Sequence, residues 1–303
     1  MNQQERNRRS RQDRAVQVVR AGPLTTVQDE GRTGVAALGV PRAGALDQPA
    51  YRLANRLVGN APGAAVLETT LGGVALRALA PLVAAVTGAP SPVRVDGTPV
   101  AWGAPVRLAA GAVLEVGAAA DGVRGYVALD GGVGVRPVLG SRSADLLSRL
   151  GPPPLADGDV LPLGRPGAAP TRIEPLPQPA PPRELVLRLD PGPRDDWFTP
   201  ESLRLLAASR YTVSPASNRI GLRLRGPALV RRPGRGELPS EGMVLGAVQV
   251  PPDGLPVVFL ADHPTTGGYP VVGVVPAADL AAAAQAAPGT PTRFAVAAGR
   301  HAE

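Results

Sequence analysis

Lysine and cysteine are both missing from the 303 residues, and every one of the 32 basic side chains is arginine. Without lysine the chain has no residue for a Schiff base, a covalently attached biotin or a P-loop lysine. Without cysteine it has no disulfide, thiolate metal site or thiol nucleophile. Histidine is nearly absent, with only His263 and His301, so no metal site is expected. Aromatic residues make up 3% of the chain, which leaves Val, Leu and Ala to build the cores. The longest apolar candidate, residues 78–93, is interrupted by Pro81, Gly88, Pro90 and Pro92, short of the roughly 18 residues that a membrane span needs. No apolar stretch follows Arg8 and Arg9, so an export signal does not fit, and a cytoplasmic location without membrane attachment is expected.

What remains for chemistry is carboxylates, guanidinium groups, hydroxyls and backbone. Apolar residues reach 44%, enough for sizeable cores, and 303 residues favour two domains over one. Gly (37) and Pro (36) are spread along the chain, which points to many turns between short elements. Of the net charge of +7, the start supplies +3, where Arg6, Arg8, Arg9, Arg11 and Arg14 stand against Glu5 and Asp13. The body is mildly basic and its few aromatics are not interleaved with Arg, so nucleic acid is not an expected partner.

Short apolar segments bounded by Gly, Pro or Asp, such as AVQVV (15–19), AVLETT (65–70) and VRGYVALD (123–130), read as half-buried strands. VDGTPV at 95–100 predicts a hairpin, because Asp-Gly supplies the positive φ of the favoured two-residue turns. Asp47 is placed to cap a helix with Ala50, Leu53, Ala54, Leu57 and Val58 on one face and Gly59 as its stop. A second short helix is expected after Ser143, a third from Thr199 as cap with Pro200 at its first position, and a last one near 276–287. Five prolines within 173–183 resist helix and central strand alike and mark a linker. The expected division is an Arg-rich disordered tail (1–14), a β domain (15–172), the linker (173–183) and a second β domain (184–298).

Taken from the residues alone, four places stand out. Gln28, Asp29 and Arg32 surround a glycine turn, where a strand end closed by the Asp side chain is favoured over substrate contact. Arg42 lies on a Gly/Pro-rich loop, where it would either be solvated or grip a carboxylate with both arms of its fork. Glu68 interrupts an apolar strand, either on a wet face or inward, where desolvation would raise its pKa towards acid–base use. The richest region is the last. Residues 242–250 and 255–261 read as adjacent strands of a hairpin, so Glu241 before the first and Asp262 after the second are expected to meet at one barrel mouth. Beside them stand His263, Thr265, Thr266, Gly267, Gly268 and Tyr269 of DHPTTGGYP, with Gln249 and Arg219 nearby. Glycine backbone that approaches an oxyanion or phosphate, hydroxyl donors and an imidazole could serve a reacting group there, but on the residues alone a turn that bonds its own backbone is the favoured reading.

The ordered stretches GPLTTVQDEGRTG (22–34), LGVPRAGALDQPAYRLANRLVGN (38–60), LETTLGG (67–73), LGSRSADLL (139–147), SNRIGLRLRGP (217–227) and LPSEGMVLGAVQVPPDGLPVVFLADHPTTGGYP (238–270) resemble the biotin-dependent carboxyltransferase family, to which the 5-oxoprolinase C subunits belong. The resemblance implies a mainly β fold of two cyclophilin-like β-barrel domains with a few short helices. It also implies a hydrolase subunit, inactive alone, that works with the A and B subunits of 5-oxoprolinase on a small cyclic amide. In that complex ATP is consumed while 5-oxo-L-proline is opened to L-glutamate; whether ATP contacts this chain is left open, and no biotin is attached to it. Two other roles are associated with the family: antagonist of a sensor-kinase inhibitor, and the carboxyltransferase half of an enzyme acting on urea or a related amide. Asp262, His263 and Glu241 are the expected catalytic candidates; Arg42, Glu68, Arg219, Gln249, Thr265, Thr266, Gly267, Gly268 and Tyr269 are the expected substrate contacts. Gln28, Asp29, Arg32 and Asp47 are expected to be structural. Two positions depart from the family pattern. Glu30 replaces an apolar residue, and Asn218 stands where Asp is common, keeping the hydrogen-bonding shape without the charge.

Overall fold

Short β-branched segments cut by glycine and proline leave little room for helices. The computed structural model describes residues 14–167 and 180–297 and is mainly β, with three α-helices among the described residues. The tail before Arg14 and most of the expected linker lie outside the described residues. Arg14 itself, counted with the tail, donates to Asp130 Oδ1 at 2.6 Å.

The chain forms two units, and neither is one continuous stretch. The first takes the chain up to Arg32, Asp47–Ala144 and the stretch from Arg149; the second takes Thr33–Leu46, Asp145–Ser148 and the chain from Pro181. Two pieces that the sequence places with the first domain therefore belong to the second unit.

In the first unit the strands form two antiparallel sheets. One runs in the order Val160–Pro162, Ala15–Arg20, Ala75–Ala78, Val113–Val116, Val93–Val95, Thr98–Val100; the other runs Leu24–Gln28, Val66–Thr70, Arg124–Leu129, Leu82–Gly88, Pro105–Leu108. Val16, Leu76 and Leu114 from one sheet and Val27, Leu67 and Val127 from the other share a single core. Three of the four edge strands carry a proline (Pro99, Pro105, Pro162), which cannot donate to a further ladder and so ends the sheet there. The hairpin turns at Asp96 (φ 49°) and Gly97 (φ 78°), as the Asp-Gly pair predicts. Helix α1, Gln48–Leu57, begins where Asp47 accepts from the Ala50 amide at 3.0 Å, and buries Ala50, Leu53, Ala54 and Leu57.

The helix expected after Ser143 does not form. Asp145 Oδ1 accepts from the amides of Leu147 (2.9 Å) and Ser148 (3.2 Å), making a side-chain-bonded turn. Positive φ at Arg149 (57°) and Gly151 (81°) then reverses the chain, leaving Leu147 exposed.

The second unit is a closed seven-stranded barrel in the order Leu185–Pro191, Val271–Val274, Ala247–Gln249, Val257–Phe259, Gly221–Arg225, Tyr211–Val213, Pro291–Val296. Closure comes from parallel pairing of the first and last of these, with Leu185 beside Thr292. Helices α2, Pro200–Ala208, and α3, Ala277–Gln285, contribute Leu206, Leu280 and Ala283 to the core. Thr199 caps α2, accepting from the Ser202 amide at 3.2 Å.

Side-chain alternation along the strands settles which residues face outward. Val248, Val250, Val258, Leu260 and Val272 point into the barrel core. Ala247, Val257, Phe259 and Val271 therefore lie on the opposite face, where they join Met243 in a second, smaller apolar cluster. A two-stranded ribbon, Glu241–Gly242 with Thr266–Gly267, is a separate sheet of this unit.

Candidate functional site

Arg219 and Asp262 form the most deeply buried ion pair among the described residues, at 1% and 0% side-chain exposure. The strands Gly221–Arg225 and Val257–Phe259 pair with Gly221 opposite Phe259, which carries Arg219 and Asp262 to the same end of the ladder. There the Asp262 amide donates to Arg219 O (3.1 Å). Arg219 Nε and Nη2 reach Asp262 Oδ2 and Oδ1 at 3.0 and 2.9 Å, the two-point geometry of a guanidinium on a carboxylate. Burial, the largest influence, raises the Asp262 carboxyl above its usual value, although the Arg219 fork and the Leu146 amide pull it down. The permanently charged partner bonded to both oxygens holds it as the anion at neutral pH.

This pair also explains why the second unit recruits distant chain. Arg219 Nη2 donates to Gly44 O at 2.7 Å, and the Leu146 amide donates to Asp262 Oδ2 at 3.1 Å. The Ala43 amide adds a bond to Ala261 O at 3.0 Å. Residues 33–46 and 145–148 are thus tied to the ends of barrel strands through one charge pair. Neither Gly44 nor Leu146 carries a side-chain signal that sequence reading could use, because each contributes only backbone. Arg42, next to Ala43, has an exposed side chain.

His263 follows directly. Its Nδ1 lies 2.7 Å from Pro264 O, so Nδ1 carries the proton and donates, and Nε2 keeps a lone pair. The ring stacks on Phe259, with centroids 6.0 Å apart and planes at 23°. Burial lowers its pKa below the usual 6.5, opposed by the Pro264 carbonyl and by Asp262, and the imidazole is neutral at physiological pH.

Glu241 is not where the hairpin argument puts it. The expected strand 242–250 breaks after Gly242: the Met243 amide turns to Thr265 O (2.8 Å), and Gly246 adopts φ 84°, where a Cβ would stand 2.2 Å from Val275 O. The register consequently sets Glu241 opposite Gly267 rather than Asp262. Its carboxylate is gripped by Arg194, whose Nε lies 3.0 and 3.1 Å from the two oxygens, with Nη2 also on Oε1. That contact holds the Glu241 carboxyl below its usual value, so it is an anion rather than an acid at neutral pH. The two acids thus have different arginine partners. Arg194, in PGPRDDW, is absent from the expected site, since nothing local in that stretch foretells a partner 47 positions away.

Gln249, on the outward face, donates from Nε2 to Tyr269 O at 3.1 Å and lies beside Met243 Sδ at 3.9 Å. A Cβ on Gly267 would sit 2.7 Å from Gln249 Nε2, so glycine here lets the ribbon approach the amide closely. Thr265 contributes its carbonyl to Met243, Thr266 is exposed in the ribbon, and Gly268 lies near Leu238 O. The Tyr269 ring, 43% exposed, has the Arg231 guanidinium 5.8 Å from its centroid. Arg219, Gln249, Asp262, His263 and residues 265–269 all belong to the second unit; Gln249 lies on the outward face of its strand, and His263, in the turn beyond the end of Val257–Phe259, stacks on the outward-facing Phe259.

The remaining candidates belong to the first unit. Glu68 is buried and accepts from Tyr126 Oη at 2.9 Å, while Tyr126 Oη accepts from the Asp47 amide at 2.7 Å. Burial and the Glu68 charge push the Tyr126 hydroxyl well above its usual pKa, keeping it a donor. Asp29 accepts from Ser141 Oγ (2.5 Å), Ser143 Oγ (2.6 Å) and the amides of Arg142 (2.6 Å) and Gly31 (2.8 Å). Arg32 donates to Ser143 O at 2.6 Å, and Gln28 Nε2 donates to Ala144 O at 3.0 Å. Glu30 faces Arg52 at 3.7 Å, and Asn218 Oδ1 accepts from the Ile220 amide at 2.8 Å, the turn geometry an Asp would also make.

The carboxyltransferase domain, subdomain A and B, matches residues 38–296 of this chain. The chain belongs to the carboxyltransferase-domain family. Within it, the 5-oxoprolinase C subunit of Escherichia coli (strain K12) is 39% identical over 286 residues, covering 92% of this chain and 90% of that protein. Among solved structures, TTHA0988 superposes with a TM-score of 0.81 and 42% identity over 93% of this chain, which spans 55% of that one. The urea carboxylase of Kluyveromyces lactis superposes with a TM-score of 0.85 and 30% identity over 95% of this carboxyltransferase-family chain, which spans 28% of that enzyme. The matched span includes every second-unit side chain described above and leaves out Gln28, Asp29 and Arg32.

Proposed function

We propose that this chain is the C subunit of an ATP-dependent 5-oxoprolinase, opening 5-oxo-L-proline to L-glutamate in the cytoplasm with the A and B subunits and inactive without them. The observation that carries this reading is the extent of the match to the Escherichia coli 5-oxoprolinase C subunit, which takes in nine-tenths of that relative. The geometry of the second unit supports it. His263, held neutral with Nδ1 on Pro264 O, offers Nε2 to accept a hydrogen bond or a proton at a cyclic amide. Asp262 has both oxygens engaged by Arg219, so its part is to fix the segment that bears His263 rather than to transfer protons. Glu241 serves as a fixed negative charge on the ribbon. With no lysine in the chain, neither a covalent biotin nor a P-loop nucleotide site fits these residues; ATP is used by the complex as a whole.

Co-expression with the A and B subunits tests the reading. ATP-dependent glutamate release is expected from the three together and from no subset; absence of turnover in the full complex overturns it. A second reading, the carboxyltransferase half of a urea-acting enzyme, draws support from the TM-score of 0.85 with urea carboxylase. It requires a separate biotinylated carrier in the native complex, which streptavidin blotting would detect.

A further inference from the structure

Two side chains beside the outward-facing apolar cluster end in acceptor atoms that meet no donor among the described residues. Gln249 commits Nε2 to Tyr269 O at 3.1 Å, which fixes the amide orientation and leaves Oε1 as an acceptor. His263 commits Nδ1–H to Pro264 O at 2.7 Å, which leaves the Nε2 lone pair. Neither atom is among the sealed, unsatisfied ones, such as Gln28 Oε1 and Tyr211 Oη, and each residue keeps 6% of its surface exposed. They also stand on one apolar floor. Gln249 touches Met243, His263 stacks on Phe259, and Met243 and Phe259 belong to the same small cluster. The register places Gln249 opposite Val257, two positions from Phe259 on the same face.

We propose that Gln249 Oε1 and His263 Nε2 select ligands by their N–H groups, admitting a lactam or a urea and rejecting the lactone or ester of the same shape. This rests on reading the outward face as the amide-binding face of the proposed hydrolase. The two acceptors share the single N–H of a lactam; a ring oxygen in its place would set lone pair against lone pair and leave both unpaired as water is displaced. A site of this kind is expected to favour the N–H ligand by about 10- to 100-fold. Loss of one acceptor should remove much of that preference, whereas a merely structural role would change affinity for both ligands alike.

The test uses the complete complex with its A and B subunits, with 2-pyrrolidone and γ-butyrolactone as competitors of glutamate release. The lactam is expected to inhibit about 10- to 100-fold more strongly than the lactone. Gln249→Met and His263→Phe are each expected to shrink the ratio several-fold. Urea melts establish which variants fold; His263→Phe, which keeps the stack on Phe259, decides the matter if Gln249→Met does not. An unchanged ratio in the folded variants, or equal inhibition of the wild type, overturns the inference even if glutamate is released. If the wild-type complex releases no glutamate, the substrate reading fails separately. Lactam and lactone binding to the full chain is then compared by ligand-observed NMR. A lactam preference that His263→Phe erases supports the inference, and its absence overturns it.

Discussion

Asp262→Asn removes one charge from a pair that water does not reach. Asp262 is 0% exposed and Arg219 1%, so the guanidinium is left charged in the interior with its anion gone. Removal of one partner from a buried pair costs about 3–5 kcal/mol. Bond counting agrees: the two contacts at 3.0 and 2.9 Å are worth roughly 1.5–3 kcal/mol each as charge-assisted bonds. Asn keeps one acceptor oxygen, which puts the expected loss near the lower end, about 3 kcal/mol. With a urea slope of about 2 kcal/mol per molar, the midpoint should fall by about 1.5 M. Trp197, buried in the barrel core, reports the second unit in a Trp102→Phe background, since Trp102 packs against the first core. Arg219→Lys should fall between wild type and Asp262→Asn, because an ammonium cannot span both carboxylate oxygens and Gly44 O in one plane. A midpoint shift below about 0.5 M for Asp262→Asn, or a wild-type melt for Arg219→Lys, would refute the reasoning.

Two further outcomes are expected. Asp29→Ala strands two hydroxyls and two amides at once and should destabilise the first unit by at least about 3 kcal/mol, read from the unfolding transition followed by Trp102; a loss under about 1 kcal/mol contradicts the anchoring role. His263 has its pKa lowered on folding, so the unfolded chain binds the proton more readily. Its contribution to stability is present above the unfolded value of 6.5 and is lost as pH falls from there to the depressed folded value. Urea midpoints between about pH 5 and 8 should show that decline in the wild type and a flatter profile in His263→Phe; parallel profiles would contradict it.

The features legible in the sequence are those whose causes are local. Asp96-Gly97 turns the hairpin, and Asp47 and Thr199 cap their helices, because each signal lies within four residues of its effect. The hairpin of Ala247–Gln249 with Val257–Phe259 follows from apolar runs around a Pro-Asp-Gly turn. The illegible features depend on partners far along the chain. A continuous strand would carry Glu241 towards Asp262, but Gly246 interrupts it; the actual partners of Glu241, Gly267 and Arg194, come from ladder register and an ion pair across 47 residues. The helix expected after Ser143 has suitable leucines and a capping side chain in Asp145, but positive φ at Arg149 and Gly151 turns the chain away after a single turn. At the candidate site the residue types are readable while their grouping is not. Side-chain alternation puts Gln249 on the outward face, and only the stack on Phe259 sets His263 beside that face, which becomes clear once the barrel interior is known.

The carbonyl of Gly44 and the amide of Leu146 complete the burial of a charge pair whose carboxylate lies more than a hundred residues further on. A gene divided at the Pro-rich stretch would yield a C-terminal fragment with Arg219 and Asp262 but without the two backbone groups that satisfy them. Such a fragment would have to borrow those groups from its severed other half before its barrel could seal. Fragment complementation, rather than independent folding of the C-terminal piece, is therefore the expected behaviour.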